Sequence, residues 1–214
     1  MYQLVPIILL LAIALALGVW LGIPRPRTPV FLWLGILMGW VLAVELVGFI
    51  SVRMAINNSV LYNVSATLEF LLLLKLLHVH RPAWRRPLVI ASVVGVGAMG
   101  WCVVYGDPME FMQVEAILTG SLLLVLFLLA ALWDLARTSD EALHRVPTFW
   151  LFMGLLLYFG GLVPVIGFIR FVYNNDQGLA TQLYLIMAVL CVLRYLITAY
   201  ACWSETTRTR RTDG

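Results

Sequence analysis

The sequence predicts an all-α membrane protein, a bundle of seven transmembrane helices in a single domain. Hydrophobic residues make up 63% of the 214 residues and charged residues 12%, which is about half the share of charge in a soluble domain. The apolar residues fall into seven runs separated by short polar breaks. Each run approaches or exceeds the roughly 17–20 residues that a helix needs to cross about 30 Å of hydrocarbon. Composition and run length therefore both predict an integral protein of the lipid bilayer.

The helices can be placed in order along the chain. The first run has no positively charged segment before it, because only Met1, Tyr2 and Gln3 precede it, so we expect a retained helix rather than a removable signal peptide. Residues 1–204 are predicted to form the transmembrane domain, and residues 205–214 a short basic tail. The predicted helices span residues 2–21, 30–52, 60–77, 88–105, 111–136, 148–171 and 180–203.

Prolines mark several of the breaks and one helix interior. They lie in the first, third and fourth loops, and Pro147 opens the sixth helix, where a missing amide hydrogen is tolerated. Pro164 lies inside that helix, just after Gly160-Gly161. We therefore expect the sixth helix to kink or to be locally unwound near its middle. Such a break either lines a cavity or only shapes the packing.

The distribution of arginine predicts the orientation of the bundle. Arginines follow helices 1, 3 and 5 and recur in the tail, whereas the opposite side carries only Arg53 and Arg170, together with Asp107, Glu110 and Asp176. The positive-inside rule then places the amino terminus outside and the carboxyl terminus in the cytoplasm. This bias also explains the formal net charge of +3. Nucleic-acid binding is a poor alternative, because no basic patch is interleaved with exposed aromatic residues.

Two matching segments indicate an internal repeat. The segments Arg53-x-x-x-Asn57-Asn58 and Arg170-x-x-x-Asn174-Asn175 each follow the tripeptide Gly-Phe-Ile, with a difference of two residues in the spacing. Aligning them pairs helices 1–3 with helices 5–7 and leaves helix 4 as a connector. This is a 3+1+3 arrangement, and because four crossings separate paired helices the repeat is parallel. The alternative is coincidence in a biased composition.

The third predicted helix carries a stripe of polar residues. Asn58, Tyr62, Ser65 and Glu69 recur at steps of four, three and four, so they share one helical face. Lipid cannot satisfy their hydrogen bonds, and the stripe should face the interior of the bundle. A carboxylate at the depth of Glu69 costs about 2.5–3.5 kcal/mol on insertion scales, which marks it as a functional candidate. The alternative is a carboxyl group that only fixes the helix register.

Other polar residues are predicted to lie near the outer surface. Glu45 and Glu115 are intramembrane carboxylates. Arg53 and Arg170 can pair with acidic groups, present guanidinium groups to an anionic ligand, or snorkel to the interface. Asn174 and Asn175, like the first asparagine pair, can cap a helix or contact a ligand. Together with the stripe, these residues predict a polar pocket that opens outward and is bounded by helices 2, 3, 5, 6 and 7.

The remaining polar residues are interpreted as structural. Lys75 and Arg194 lie toward the cytoplasmic ends of their helices and are expected to snorkel. His78 and His80 are two positions apart, a spacing that does not aim both at one metal ion. The three cysteines fall in or at the ends of apolar runs and are expected to be packing residues. We therefore expect no metal and no cofactor; in particular, the seventh helix has no lysine for a retinal Schiff base.

One stretch resembles a known group of proteins. Asn57-Asn58, Leu61-Tyr62 and Leu68-Glu69-Phe70, followed by further leucines, resemble a set of small bacterial seven-helix membrane proteins of uncharacterised activity. The resemblance covers about a quarter of the chain, mainly helices 2 and 3. It implies a location in the bacterial inner (cytoplasmic) membrane. It implies no activity, so no catalytic residue follows from it.

Three classes of function are compatible with these observations. The first is a sensor or receptor-like module that binds a small ligand and passes a helix shift to a signalling partner protein. The second is a small secondary transporter, which could be proton-coupled through Glu69. The third, an intramembrane enzyme, is the weakest, because the sequence shows no nucleophile and base arrangement and no zinc-protease, hydrolase or nucleotide-binding motif.

Overall fold

The computed structural model describes residues 4–105, 114–173 and 177–212, and these residues form seven α-helices without a strand. All seven are long and apolar enough to cross a membrane, which confirms the prediction of an all-helical protein and is compatible with a multi-pass membrane protein. Short 3-10 turns at Pro82–Trp84 and Leu143–Arg145 precede the fourth and sixth helices. The helices are α1 (Leu4–Leu21), α2 (Pro29–Arg53), α3 (Ser59–His80), α4 (Arg85–Tyr105), α5 (Val114–Thr138), α6 (Pro147–Tyr173) and α7 (Gln177–Thr212).

The helices follow one another around the bundle in chain order. Each packs against the next, and α1 closes the ring by packing against α7. In addition, α3 packs against α5, which leaves α4 at the periphery with α3 and α5 as its main neighbours. Short connections make consecutive helices antiparallel. The bundle therefore has an Arg53 end, where α2 ends and α3 begins, and an Arg81 end, where α3 ends and α4 begins.

The helix α7 is longer than its apolar run. Residues 205–212, expected as a tail, continue it as regular helix. Glu205 is buried and accepts a hydrogen bond from the Thr28 hydroxyl at 3.2 Å, and Arg208 forms an ion pair with Glu141 at 3.4 Å. Polarity ends an apolar run but does not end a helix, and neither glycine nor proline occurs between Glu205 and Thr212. The extension therefore packs against the loops of the Arg81 end.

The densest part of the core lies in the half of the bundle next to the Arg81 end. There the first turns of α2 and α6 meet the last turns of α3 and α5. The side chains of this apolar core are almost completely buried and interdigitate as in other protein interiors. Its largest members include Phe31, Leu34, Leu76, Leu77, Leu128 and Phe152.

The helix α6 is assigned as one continuous α-helix from Pro147 to Tyr173. Of the two alternatives expected at Pro164, local unwinding is therefore wrong, and a kink stays a prediction. Proline still removes one hydrogen bond, because it has no amide hydrogen to donate to the carbonyl of Gly160. The remaining hydrogen bonds of α6 hold the helix on both sides of this position.

Close contact between α1 and α2 depends on one glycine. The Trp20 indole donates a hydrogen bond to the Phe31 carbonyl at 2.6 Å, which fixes the ring against α2. A Cβ atom added at Gly35 would fall inside the space of that ring. The absence of a side chain at Gly35 therefore leaves room for the Trp20 ring against α2.

Candidate functional site

Two hollow spaces lie in the half of the bundle next to the Arg53 end. The first, named here the inner cavity, has a volume of about 160 Å³ and is lined by residues of α2 to α7. The second, the α1 cleft, has a volume of about 830 Å³ and lies between the first turns of α1, the last turns of α2 and Tyr62 of α3. The polar residues of the inner cavity include Glu45, Tyr62, Ser65, Glu69, Ser121 and Tyr158.

Glu45 and Tyr62 lie between these two spaces. Both residues line the inner cavity and the α1 cleft. The Tyr62 hydroxyl donates a hydrogen bond to Oε2 of Glu45 at 3.3 Å, a long and therefore weak bond. The phenol ring can approach α2 because residue 48 is glycine; a Cβ atom there would collide with the hydroxyl and lie 2.9 Å from Cζ. The Glu45–Tyr62 pair is thus a thin partition held by one hydrogen bond.

The first asparagine pair lies at the start of α3. Oδ1 of Asn57 accepts a hydrogen bond from the backbone amide of Ser59 at 2.9 Å, which satisfies a donor at the start of the helix. Asn58 occupies the N-cap position but makes no side-chain cap bond. The capping role expected of the pair therefore falls to Asn57, and Asn58 does not line either space.

The rest of the α3 stripe points into the inner cavity. Ser65 is buried, and its hydroxyl accepts a hydrogen bond from the Trp40 indole at 3.2 Å. One turn further on, Glu69 lines the cavity about 15 Å along α3 from Ser59. The face predicted from the spacing of Tyr62, Ser65 and Glu69 is therefore the face that the bundle encloses.

Glu69 forms an ion pair with a residue that the sequence interpretation placed elsewhere. Oε1 of Glu69 lies 2.5 Å from Nη1 of Arg194, whose side chain is only 4% exposed. The expected snorkelling of Arg194 is wrong. Its side chain instead faces the interior of the bundle, toward Glu69 and the ring of Tyr158. The sequence of α7 alone did not reveal this, because the partner of Arg194 lies on another helix.

Aromatic rings enclose the guanidinium group of Arg194. Its Cζ atom lies 4.8 Å from the ring centroid of Tyr158, 5.5 Å from that of Phe159 and 5.2 Å from that of Tyr195. Guanidinium groups stack favourably on such rings, and the interaction strengthens when water is excluded. Arg194 does not itself line the inner cavity. It lies behind Glu69 and balances the charge of that carboxylate.

Several predicted site residues lie away from the inner cavity. Arg53 lines the α1 cleft with its guanidinium 4.4 Å from the ring of Phe49. Glu115 is exposed in the first turn of α5 and lines neither space. Arg170 belongs to α6, but its side chain, like all of Asn174 and Asn175, lies outside the described residues. The polar group that the structure brings together is therefore Glu45, Tyr62, Ser65 and Glu69.

The sequence interpretation also missed contributors to the inner cavity. Gly95 and Met99 bring α4 into its wall, although only five other helices were expected there. The ring of Phe70 fills the space above Gly95, where a Cβ atom would collide with it. Ser121 and Gly120 are buried on the bundle-facing side of α5. Small residues at positions 116, 120 and 121 were the available signal for that face.

The two carboxyl groups of the inner cavity differ in how they are partnered. Glu69 is balanced by Arg194, whereas the described contacts of Glu45 include only the weak hydrogen bond from Tyr62. The inner cavity therefore has a carboxyl group with hydrogen-bonding capacity to spare, next to the rings of Tyr62, Phe70 and Phe159. Within the described ranges, no three histidine, cysteine or acidic residues are grouped as metal ligands.

Comparisons of this chain with protein-family models, with curated proteins and with solved structures find no match.

Proposed function

We propose that this protein is a multi-pass sensor of the bacterial inner membrane that binds a small solute in the inner cavity and signals through a partner protein. The observation that carries this proposal is the weak Glu45–Tyr62 partition between the α1 cleft and the inner cavity. A solute entering from the α1 cleft can replace that single hydrogen bond with its own contact to Glu45. Displacement of Tyr62 then moves α3, which carries Glu69 and through it contacts α7.

The proposal places the Arg53 end outside the cell and the Arg81 end in the cytoplasm. Its support is the excess of arginine at the Arg81 end. The bacterial membrane is the location that the resemblance of the α3 segment implies. In this orientation the α1 cleft faces the external solution and the apolar core lies on the cytoplasmic side.

A duplicated origin of the bundle is part of the same proposal. The first helix of each proposed half packs against the third helix of the other half, since α1 contacts α7 and α5 contacts α3. This reciprocal pattern is what a pseudo-two-fold relation between two like-oriented triplets produces. The position of α4 outside both triplets supports its role as a connector.

We infer a small cation or hydrogen-bond donor as the solute, such as a primary or methylated amine. A volume of about 160 Å³ admits only a few non-hydrogen atoms. Glu45 supplies a carboxylate, and the neighbouring aromatic faces favour a cationic group. An anionic solute would meet Glu45 and Glu69 at the cavity surface, whereas the balancing guanidinium lies behind Glu69.

Binding to purified protein in detergent tests this proposal. We expect trimethylammonium or ethylammonium to raise the melting temperature, and acetate to have no effect. Glu45→Gln should weaken amine binding at least about tenfold, because a charge-assisted contact is replaced by a neutral one. Glu115→Gln is the matched control, since it removes an exposed carboxylate near the same end of the bundle. Equal binding by the wild-type protein and Glu45→Gln would refute the assignment.

A second measurement tests whether the Glu45–Tyr62 pair limits access of reagents to the inner cavity. In a variant with the native cysteines replaced by alanine, Ser121→Cys places one thiol at the inner cavity. We expect Tyr62→Phe to increase its labelling by a water-soluble thiosulfonate about tenfold, because the bond to Glu45 is lost. Gly48→Ala should act similarly by displacing the phenol ring. Its control is Gly167→Ala, at which a Cβ atom meets nothing within 4 Å. Unchanged labelling in both Tyr62→Phe and Gly48→Ala would show that the pair is not a barrier.

A small secondary transporter is the second candidate. Pro164 leaves the Gly160 carbonyl without its helical donor, and the neighbouring residues Leu162 and Ile166 line the inner cavity. A weakened point in α6 at the cavity wall is suited to gating. Against it stands the apolar core between the cavity and the Arg81 end. Uptake of labelled methylammonium into liposomes that contain only this protein would establish transport, and binding without uptake would support the sensor.

A further inference from the structure

A groove between α3 and α4 at the Arg81 end is separate from the proposed solute site. It has a volume of about 290 Å³. The lining residues recur at spacings of three and four on both helices, so each helix presents one continuous face to the groove. The α3 face consists of Leu71, Leu74, Lys75 and His78, and the α4 face consists of Arg85, Leu88, Val89 and Ser92.

The groove has a basic end and an apolar end. Lys75, His78 and Arg85 lie toward the Arg81 end, because α3 ends there and α4 begins there. The leucine and valine side chains lie deeper in the bundle. Ser92 adds little polarity, since its hydroxyl donates to the Leu88 carbonyl at 2.8 Å. No acidic residue lines the groove.

The basic groups of the groove are not balanced by the protein. Lys75 and Arg85 are exposed, and neither is part of an ion pair within the described part of the chain. The ammonium group of Lys75 lies 5.4 Å from the ring of Trp33 on α2. Nδ1 of His78 is buried and has no hydrogen-bond partner among the described residues. Buried imidazole nitrogens are normally hydrogen-bonded, so the groove has unmet capacity for an anionic or polar group.

We propose that this groove binds an anionic phospholipid of the adjacent leaflet. The phosphate group lies among Lys75, His78 and Arg85, and one acyl chain lies along the apolar end. Basic pockets between transmembrane helices bind anionic headgroups in this way. A free phosphate ion shares the headgroup chemistry but has no apolar part that could fill the leucine-lined end. The lipid is therefore the occupant that fits both ends of the groove.

Native mass spectrometry of the full-length protein with added lipid tests the proposal. Dioleoyl phosphatidylglycerol should be retained by the wild-type protein in preference to dioleoyl phosphatidylcholine. The double variant K75Q/R85Q should bind the anionic lipid roughly 30-fold more weakly. Each charge removed reduces the binding free energy by about 1 kcal/mol, and two such losses correspond to that factor. The matched control R86Q/R137Q removes two arginines from the same end of the bundle without touching the groove lining, and it should retain the lipid as the wild-type protein does.

Further variants and probes distinguish a specific lipid site from general electrostatic attraction of anionic lipid to the Arg81 end. His78→Asn, which removes the imidazole and with it the unpartnered Nδ1, should weaken retention severalfold. Millimolar inorganic phosphate should neither displace the lipid nor raise the melting temperature. The proposal is overturned if both double variants lose lipid equally, if phosphatidylcholine is retained as well as phosphatidylglycerol, or if inorganic phosphate displaces the lipid.

Discussion

Glu69→Gln is expected to destabilise the bundle by about 3–5 kcal/mol, because it leaves the buried guanidinium of Arg194 without its counter-charge. Arginine cannot become neutral in a protein, so the unpaired charge cannot be relieved by loss of a proton. The aromatic rings around Arg194 contribute only part of the missing stabilisation. Thermal or detergent-induced unfolding of the purified protein measures this change.

Arg194→Met gives the complementary measurement. The Glu69 side chain left behind is 20% exposed and lines the inner cavity, whereas the Arg194 side chain is 4% exposed, so an unpaired carboxylate is easier to solvate than an unpaired guanidinium. Methionine can also fill the space of the arginine stem. We therefore expect Arg194→Met to be less destabilising than Glu69→Gln, by about 1 kcal/mol or more. Arg86→Met is the control, since Arg86 is an exposed cation with no ion pair among the described residues, and it should change the stability by less than about 0.5 kcal/mol. The reverse order of the two core variants would contradict a charged Glu69–Arg194 pair.

Gly35→Ala is expected to destabilise the protein by about 1–3 kcal/mol, the usual range for an overpacked contact. The added methyl group would occupy the space of the Trp20 ring, which its hydrogen bond to the Phe31 carbonyl holds in place. The ring can move only if this bond breaks and α1 shifts away from α2. Unfolding measurements under the same conditions as for Glu69→Gln detect the effect.

Gly39→Ala is the matched control for Gly35→Ala. It lies one turn further along α2, and a Cβ atom there meets nothing within 4 Å. Alanine at such a position should stabilise the helix by about 0.5–1 kcal/mol, because it restricts the unfolded chain more than glycine does. If both alanine variants have the same stability, the contact of Trp20 with Gly35 does not hold α1 against α2.

The sequence predicted the helices because each crossing needs a long apolar run, and composition alone reveals such runs. It predicted the enclosed face of α3 for a similar reason, since the spacing of Tyr62, Ser65 and Glu69 shows their common face. The partner of Glu69 could not be found in this way. Helical periodicity describes one helix at a time, whereas the ion pair joins residues 125 positions apart in α3 and α7.

Glu115 is a residue that the sequence predicted at the site but that the structure places elsewhere. Its position predicted an intramembrane carboxylate at the polar pocket, but it is exposed in the first turn of α5 and lines neither the inner cavity nor the α1 cleft. One charged residue near a helix end does not define a face. The small residues that follow it define the face better, because close helix contacts select them.

The unbroken course of α7 has a mechanical consequence. From Arg194 to Thr212 the helix extends for about 27 Å at 1.5 Å per residue. A rigid rod of that length pivoting by about 5° at Arg194 moves its far tip by about 2 Å. Thr28, between α1 and α2, contacts α7 at Glu205, and Glu141, between α5 and α6, contacts it at Arg208. A movement of α7 would therefore displace both loops. Under the proposed sensing function, a small adjustment at Glu69 would be amplified along α7 into a larger displacement at the Arg81 end, where a partner protein would detect it.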